Sequence, residues 1–186
     1  MRPAWRQRLE LALAAQADDP TSRYFQLATI GLDGRPACRT LVHRGFLDGT
    51  DDLVSTTDAR SAKAREIGLN PSAEISWYLA ATRDQFRLAG RISFLEPEDV
   101  QRLETWRSIS SPSRDQFNWP APGGPFEPGA SLPPIVSGGV TTPPETFLVL
   151  IFRVDRVEQL HLTGRPHERT LSESIEGVWR DRRVNP

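Results

Sequence analysis

Residues 39–63, RTLVHRGFLDGTDDLVSTTDARSAK, alternate as a strand, turn at an Asp/Gly-rich stretch, alternate again over 52–57, and end in the start of a helix. This strand–turn–strand–helix unit gathers Arg39, His43, Arg44, Arg60 and Lys63 with Thr40, Thr56, Thr57 and Ser61. Cations, hydroxyls and the unpaired N–H groups of a helix start suit a dianionic phosphate. The same charges would equally serve as the solvated side of a half-buried hairpin, and from this segment alone that is the simpler reading. Alternation puts Arg39, Leu41 and His43 on one face and Thr40, Val42 and Arg44 on the other. Arg39 and Arg44 therefore cannot both reach one ligand from a regular strand.

Outward from this unit, the preceding segment 24–31 (YFQLATIG) reads as a strand, joined to 36–45 by Asp33-Gly34, which signals a two-residue hairpin turn. Trp5, Leu9 and Leu13 form one stripe of a helix over 4–17, stopped by Asp18-Asp19-Pro20. After the helix 61–69, closed before Asn70-Pro71, strands are expected at 72–79 and 84–95, with Gly90 marking a bulge or a close approach. Gln85 and Arg87 share a face with Ala89, which suggests a wet or ligand-lined face. A helix runs from Glu96-Pro97-Glu98 to about Arg107. Nine of the 16 prolines fall between Pro112 and Pro144, so that stretch is expected to be an irregular loop, with Phe117, Trp119 and Phe126 available to anchor it or cover a site. Two more strands are expected at 147–154 and 156–162, then a turn at Thr163-Gly164, and a last strand carrying Trp179. Paired strands, Gly turns and few helices describe a mainly β, α+β chain, an antiparallel barrel with peripheral helices, in one domain over 1–186.

Composition removes several classes of function. A net charge of −1 gives no basic field for nucleic acid. No apolar run is long enough to span a bilayer, and the N-terminus makes a poor signal peptide. Cys38 is the one cysteine, so an intrachain disulfide is excluded, a reducing cytoplasmic setting is expected, and the thiol itself is expected buried in its strand. His43, His161 and His167 lack metal-ligand spacing, no Walker or Rossmann glycine loop is present, and no catalytic triad can be drawn.

In chain order, FQLATIGLDGRPACRTLVHRGF, LVSTTDARSAKAREIGLNPSAEISW, DQFRLAG, RPHER and WRDRRVNP together resemble the blocks of the pyridoxamine 5′-phosphate oxidase-like FMN-binding split-barrel family, over nearly the whole chain. The resemblance implies a split β-barrel acting as a homodimer, with one FMN per subunit at the interface. It implies that Arg39 and Lys63 hold the FMN phosphate with Ser61 at the helix start, and that Thr40, Leu41, Val42, His43 and Arg44 line the flavin. Thr56 and Thr57 would add polar contacts, Gln85 would bond the ring, and Arg169 would approach it. Arg165 and His167 match positions that hold the substrate over the flavin, and Arg44 matches a lysine that contacts the substrate phosphate.

The sequence also departs from that family. Ala62 replaces a second arginine beside the lysine, with Arg60 offering a substitute from a different position, and WRSISSPSRDQF (106–117) does not align cleanly with the Tyr, Arg and Ser expected around the substrate phosphate. The implied activity is oxidation of pyridoxamine or pyridoxine 5′-phosphate to pyridoxal 5′-phosphate with oxygen as acceptor. The alternatives are an FMN-dependent oxidoreductase or flavin reductase with another substrate, or a non-catalytic flavin- or haem-binding module.

Overall fold

A computed structural model describes residues 2–129 and 142–186. In chain order the elements are α1 (Ala4–Ala14), β1 (Tyr24–Ile30), β2 (Pro36–Val42), β3 (Gly45–Phe46), β4 (Leu53–Asp58), α2 (Ala62–Leu69), β5 (Ser72–Leu79), β6 (Asp84–Phe94), α3 (Val100–Ser108), α4 (Ser111–Asp115), β7 (Phe147–His161), β8 (Glu168–Ile175) and β9 (Val178–Val184).

The strands form one antiparallel sheet in the order β2-β1-β5-β6-β7-β4-β3. It closes on itself beyond β2. The Arg44 amide donates to Val54 O at 2.8 Å, and Ser55 Oγ donates to Val42 O at 2.9 Å, so the chain leaving β2 passes from β1 to β4. The split in the barrel lies along β7. Its first half, Phe147–Phe152, pairs with β4, and its second half, Arg156–His161, pairs with β8. At about 3.3 Å per residue, a 15-residue strand is roughly 50 Å long, enough to serve both partners on one edge.

The barrel interior is filled by Phe25, Leu27, Leu41, Ile75, Trp77, Phe86, Leu88 and Phe152, alternate residues of their strands. Each such side chain, fully buried, contributes about 1.5–3 kcal/mol. Helix α1 lays Trp5, Leu9 and Ala12 against this core, with Trp5 packed on Trp179 of β9 at 5.4 Å between ring centroids. A second cluster on the outer face of β4 and β7 joins Val54, Phe147, Val149 and Ile151 to Trp106 and Ile109, and to Phe117 of the following turn.

Several expectations are corrected. The first hairpin does not turn on two residues: Gly31 N donates to Arg35 O at 2.7 Å and Gly34 N to Gly31 O at 2.8 Å, a three-residue loop with Gly34 at φ 77°. The two strands expected at 147–162 are one, because Asp155 is absorbed as a bulge opposite Ala89/Gly90. Gly90 is required there, since a Cβ would sit 2.0 Å from Arg153 O. Strand β8 adds to the strands expected from the sequence. Cys38 is exposed, on the outward face shared with Thr40. The stretch expected to be irregular from 112 starts with α4 and a 3-10 turn at Gln116–Asn118, Pro112 fitting the helix's first turn. The part of that loop at 130–141 lies outside the described residues. Among the described residues, no helix is long and apolar enough to cross a membrane, and no group of His, Cys, Asp or Glu could hold a metal ion.

Candidate functional site

A cleft of about 580 Å³ opens on the outer face of the barrel where β2 meets β4. Its floor is the outward face of β2 and its extension, Thr40, Val42 and Arg44, with Leu41 also contributing, and Thr56 of β4 beside them. Tyr24 joins them because it lies directly across from Val42 in the β1–β2 register. One end is the start of α2, with Thr57, Asp58 and Lys63. The opposite wall is Phe117, Trp119, Pro120 and Pro122, with Ser113 and Gln116. Pockets of about 300–1,000 Å³ with apolar walls and a few polar groups are typical of cofactor sites.

The α2 end is built for an anion. Lys63 Nζ donates to Thr57 Oγ1 at 3.1 Å, and Thr57 Oγ1 lies 3.3 Å from Ser61 Oγ, at the helix N-cap. Burial lowers the Lys63 pKa, and the nearby Arg39 charge lowers it further. A bound anion would relieve both effects. At the other end, Arg44 is half-buried, with its Nε sealed from solvent and without a hydrogen-bond partner. Burial lowers its pKa too, followed by repulsion from Arg23, another cation lining the cleft. Asp58 is the one carboxylate among the described lining residues.

The cleft thus brings together Thr40, Leu41, Val42, Arg44, Thr56, Thr57 and Lys63 of the residues expected from sequence, with Ser61 directly behind Thr57. It does not bring in the others. Arg39 faces the opposite way, as alternation requires: its guanidinium donates to Glu66 Oε2 at 2.6 Å and to Thr29 Oγ1, and Thr29 Oγ1 also donates to Glu66. His43 is buried between Phe46 and Trp77, at 4.8 and 5.1 Å between ring centroids. Gln85 is on β6. Arg169, on β8, donates to Glu158, which also has Arg156 and Arg87 beside it. Burial works against the Glu158 charge, but the Arg169 hydrogen bond and these cations outweigh it and hold its pKa low. Arg165 and His167 are exposed in the β7–β8 turn, where Arg165-Pro166 is cis.

Sequence reasoning missed Arg23, Tyr24, Asp58 and Gln116. The cross-strand register would have found Tyr24, since a residue opposite Val42 shares its face. Trp119 and Phe117, which the sequence offers as residues to anchor the loop or cover a site, stand in the wall of the cleft.

The family profile described as pyridoxamine 5′-phosphate oxidase, FMN-binding domain, matches residues 2–96. Pyridoxine/pyridoxamine 5′-phosphate oxidase 2 of Arabidopsis thaliana is 34% identical over 193 residues, covering 98% of this chain and 96% of that protein. The pyridoxine/pyridoxamine 5′-phosphate oxidase of Chromobacterium violaceum is 31% identical over a shorter span, 55% of this chain and 51% of that one. A crystal structure of a pyridoxamine 5′-phosphate oxidase-related, FMN-binding protein from Nostoc punctiforme superposes with a TM-score of 0.90 at 36% identity, covering 100% of both chains. PhzG from Burkholderia lata, solved with tetrahydrophenazine-1-carboxylic acid, shares the fold with a TM-score of 0.83 at 21% identity, over 100% of this chain and 93% of that one.

Proposed function

Because this chain belongs to the pyridoxamine 5′-phosphate oxidase FMN-binding family, as an oxidoreductase with FMN as its cofactor, we propose that the cleft between β2, β4 and α2 is its FMN site and that the protein oxidises pyridoxamine or pyridoxine 5′-phosphate. The observation that carries this reading is the pairing, in one cleft, of a part-buried Lys63–Thr57–Ser61 cluster at a helix start with an unpaired Arg44 Nε. These residues fit the group. Lys63, Thr57 and the first N–H groups of α2 hold the phosphate, Thr56 adds a polar contact, and the backbone and side chains from Thr40 to Arg44 run along the ring system.

Bound FMN supplies the hydride acceptor, so the chain needs no strong acid or base of its own. Its residues bind and orient. Arg44 holds the anionic group of the substrate, and Phe117, Trp119 and Tyr24 limit water at the reacting face. Gln85, Arg165, His167 and Arg169 do not line the cleft of their own chain. We assign them to the cleft of a second copy, so that the working unit is a homodimer in which Arg165 and His167 close over the substrate and Gln85 and Arg169 approach the ring. Oxygen takes the electrons, giving pyridoxal 5′-phosphate and hydrogen peroxide; from the amine, water is taken up as well and ammonia leaves.

A second reading keeps the cofactor and changes the substrate. Of Ser111, Ser113, Arg114 and Trp106, only Ser113 lines the cleft, and Arg114 is turned to Ser111 Oγ at 3.1 Å and over the Trp106 ring. The cationic and hydroxyl support expected there for a substrate phosphate is therefore thin. One anaerobic experiment separates the two readings. The FMN-loaded protein is mixed with pyridoxine 5′-phosphate and the visible flavin band is followed. Bleaching, reversed by air with formation of pyridoxal 5′-phosphate, is expected. A band that stays oxidised with this substrate but bleaches with a reduced nicotinamide nucleotide would favour the second reading.

A further inference from the structure

Asp58 places a negative charge inside a cleft whose other charged lining residues, Arg23, Arg44 and Lys63, are cations. Left free, it would compete with a bound phosphate for Lys63, whose charge already acts on it. It is not free. Arg60 Nη2 donates to Asp58 Oδ2 at 2.6 Å and Arg60 Nε to Oδ1 at 3.0 Å, a two-pronged pair, and the Arg60 amide donates to Oδ1 at 2.7 Å. Burial raises the Asp58 pKa, but these bonds outweigh it, so the carboxylate stays ionised and engaged. The same Arg60 Nη2 reaches across to the far wall, donating to Trp119 O at 2.9 Å and, at 3.5 Å, to Phe117 O. Phe117 O also accepts from Thr146 Oγ1 at 2.7 Å. Arg60 itself does not line the cleft.

We propose that Arg60 is a positioning residue that acts on the anion site without touching the anion. It masks the Asp58 carboxylate, which leaves Lys63 to the phosphate, and it ties the Phe117–Trp119 wall to the start of α2 so that the two sides of the cleft are set together. Sequence alone suggested that Arg60 stands in for the arginine missing at Ala62 as a direct phosphate contact. The geometry gives it a different task, since its guanidinium is spent on Asp58 and on wall carbonyls.

This inference rests on the cleft being the FMN site. Its test compares FMN with riboflavin, which lacks the phosphate, by quenching of flavin fluorescence in the wild type, Arg60→Ala, Asp58→Asn and the double variant. Releasing Asp58 in Arg60→Ala should lower the preference for FMN over riboflavin on the order of tenfold, the size of a lost charge-assisted contact. Asp58→Asn removes the competing charge and should hold or raise that preference, and the double variant should recover it. A pair that merely braces the fold would lower binding of both flavins in both single variants alike.

An unchanged preference in Arg60→Ala, or a fall in Asp58→Asn equal to that in Arg60→Ala, overturns the inference while leaving FMN binding intact. Failure of the wild type to bind FMN overturns the reading of the cleft and this inference with it. If Arg60→Ala does not fold, the sign of the change in Asp58→Asn decides alone. For the wall, chymotryptic cleavage after Phe117 should be faster in both single variants, and equal rates in the wild type and both variants would remove the tie.

Discussion

The two faces of β2 and its extension hold arginines of opposite fate. On the inward-turned side of β2, Arg39 is closed into a network with Glu66 and Thr29, both buried, and every prong of its fork that is buried has an acceptor. On the outward side, a few residues on, Arg44 has a buried Nε with no acceptor and another cation, Arg23, beside it. The residue type is the same, and both sit on one continuous stretch, β2 and its extension. What differs is whether the fold itself supplies the counter-charge. A guanidinium that the fold has satisfied holds structure together, and one left unsatisfied at a cleft is waiting for a ligand.

The largest test of that contrast is thermodynamic. The Arg39 and Glu66 side chains are only 20% and 8% exposed. Removing one partner leaves the other charged and mostly buried, which costs about 3–5 kcal/mol. Glu66→Ala and Arg39→Ala should each lower the free energy of unfolding, measured by denaturant titration, by that much, whereas Arg39→Met with Glu66→Leu should recover most of the loss. If Arg39→Ala instead keeps its stability and sheds FMN, the two faces are not distinct in the way described, and Arg39 belongs to the phosphate site after all.

A second test uses pH on the same inward face. His43 is enclosed by Phe46 and Trp77, and its Nδ1 has no partner. Burial, then the charges of Arg6 and Arg23, push its pKa down from 6.5 to about 4. The folded chain therefore keeps His43 neutral where the unfolded chain protonates it. Stability is full above pH 6.5 and is lost as pH falls from there toward 4. Between pH 7 and pH 5 the loss should be about 2 kcal/mol from this residue. His43→Phe, compared with the wild type across that range in urea, should flatten that part of the profile, and an unaltered slope would show that His43 is not shielded as its packing indicates.

Both faces were partly readable in advance. Alternation separates Arg39 and His43 from Thr40 and Arg44 with no structure at all, and the Ser61–Lys63 helix start and the bulge at Gly90 follow from local chemistry. What the sequence concealed depended on distant partners. Nothing near Arg39 announces Glu66, which lies 27 positions on. Asp155 interrupts an apolar run and reads as a break between strands, although the partner strand's Gly90 lets it bulge within a single β7. Strand β8 buries only Leu171 and Ser172 and carries charge on both sides, so it lacks the alternation that would mark it. Cys38 was misplaced for a simpler reason: it shares its face with Thr40, and that face looks outward.

The smallest expected effect on stability sharpens the outward side of the comparison. Arg44 makes no ion pair among the described residues, and Arg23 repels it, so the fold gains little from its charge. Arg44→Gln should change the free energy of unfolding by no more than about 0.5 kcal/mol, the usual range for a substitution that breaks no network. Its effect should fall on the ligand instead. If Arg44 holds the substrate anion in the ground state and the transition state alike, KM for pyridoxine 5′-phosphate should rise on the order of tenfold or more with kcat little changed, the pattern of lost uniform binding. FMN retention should remain, because the phosphate end of the cleft is held by Lys63 and Thr57 on the other side. A fall in kcat at constant KM would instead mean that Arg44 acts on the flavin ring and not on the substrate anion. A loss of FMN together with stability would mean that the outward arginine is as structural as the inward one, and the contrast between the two faces of β2 would fail.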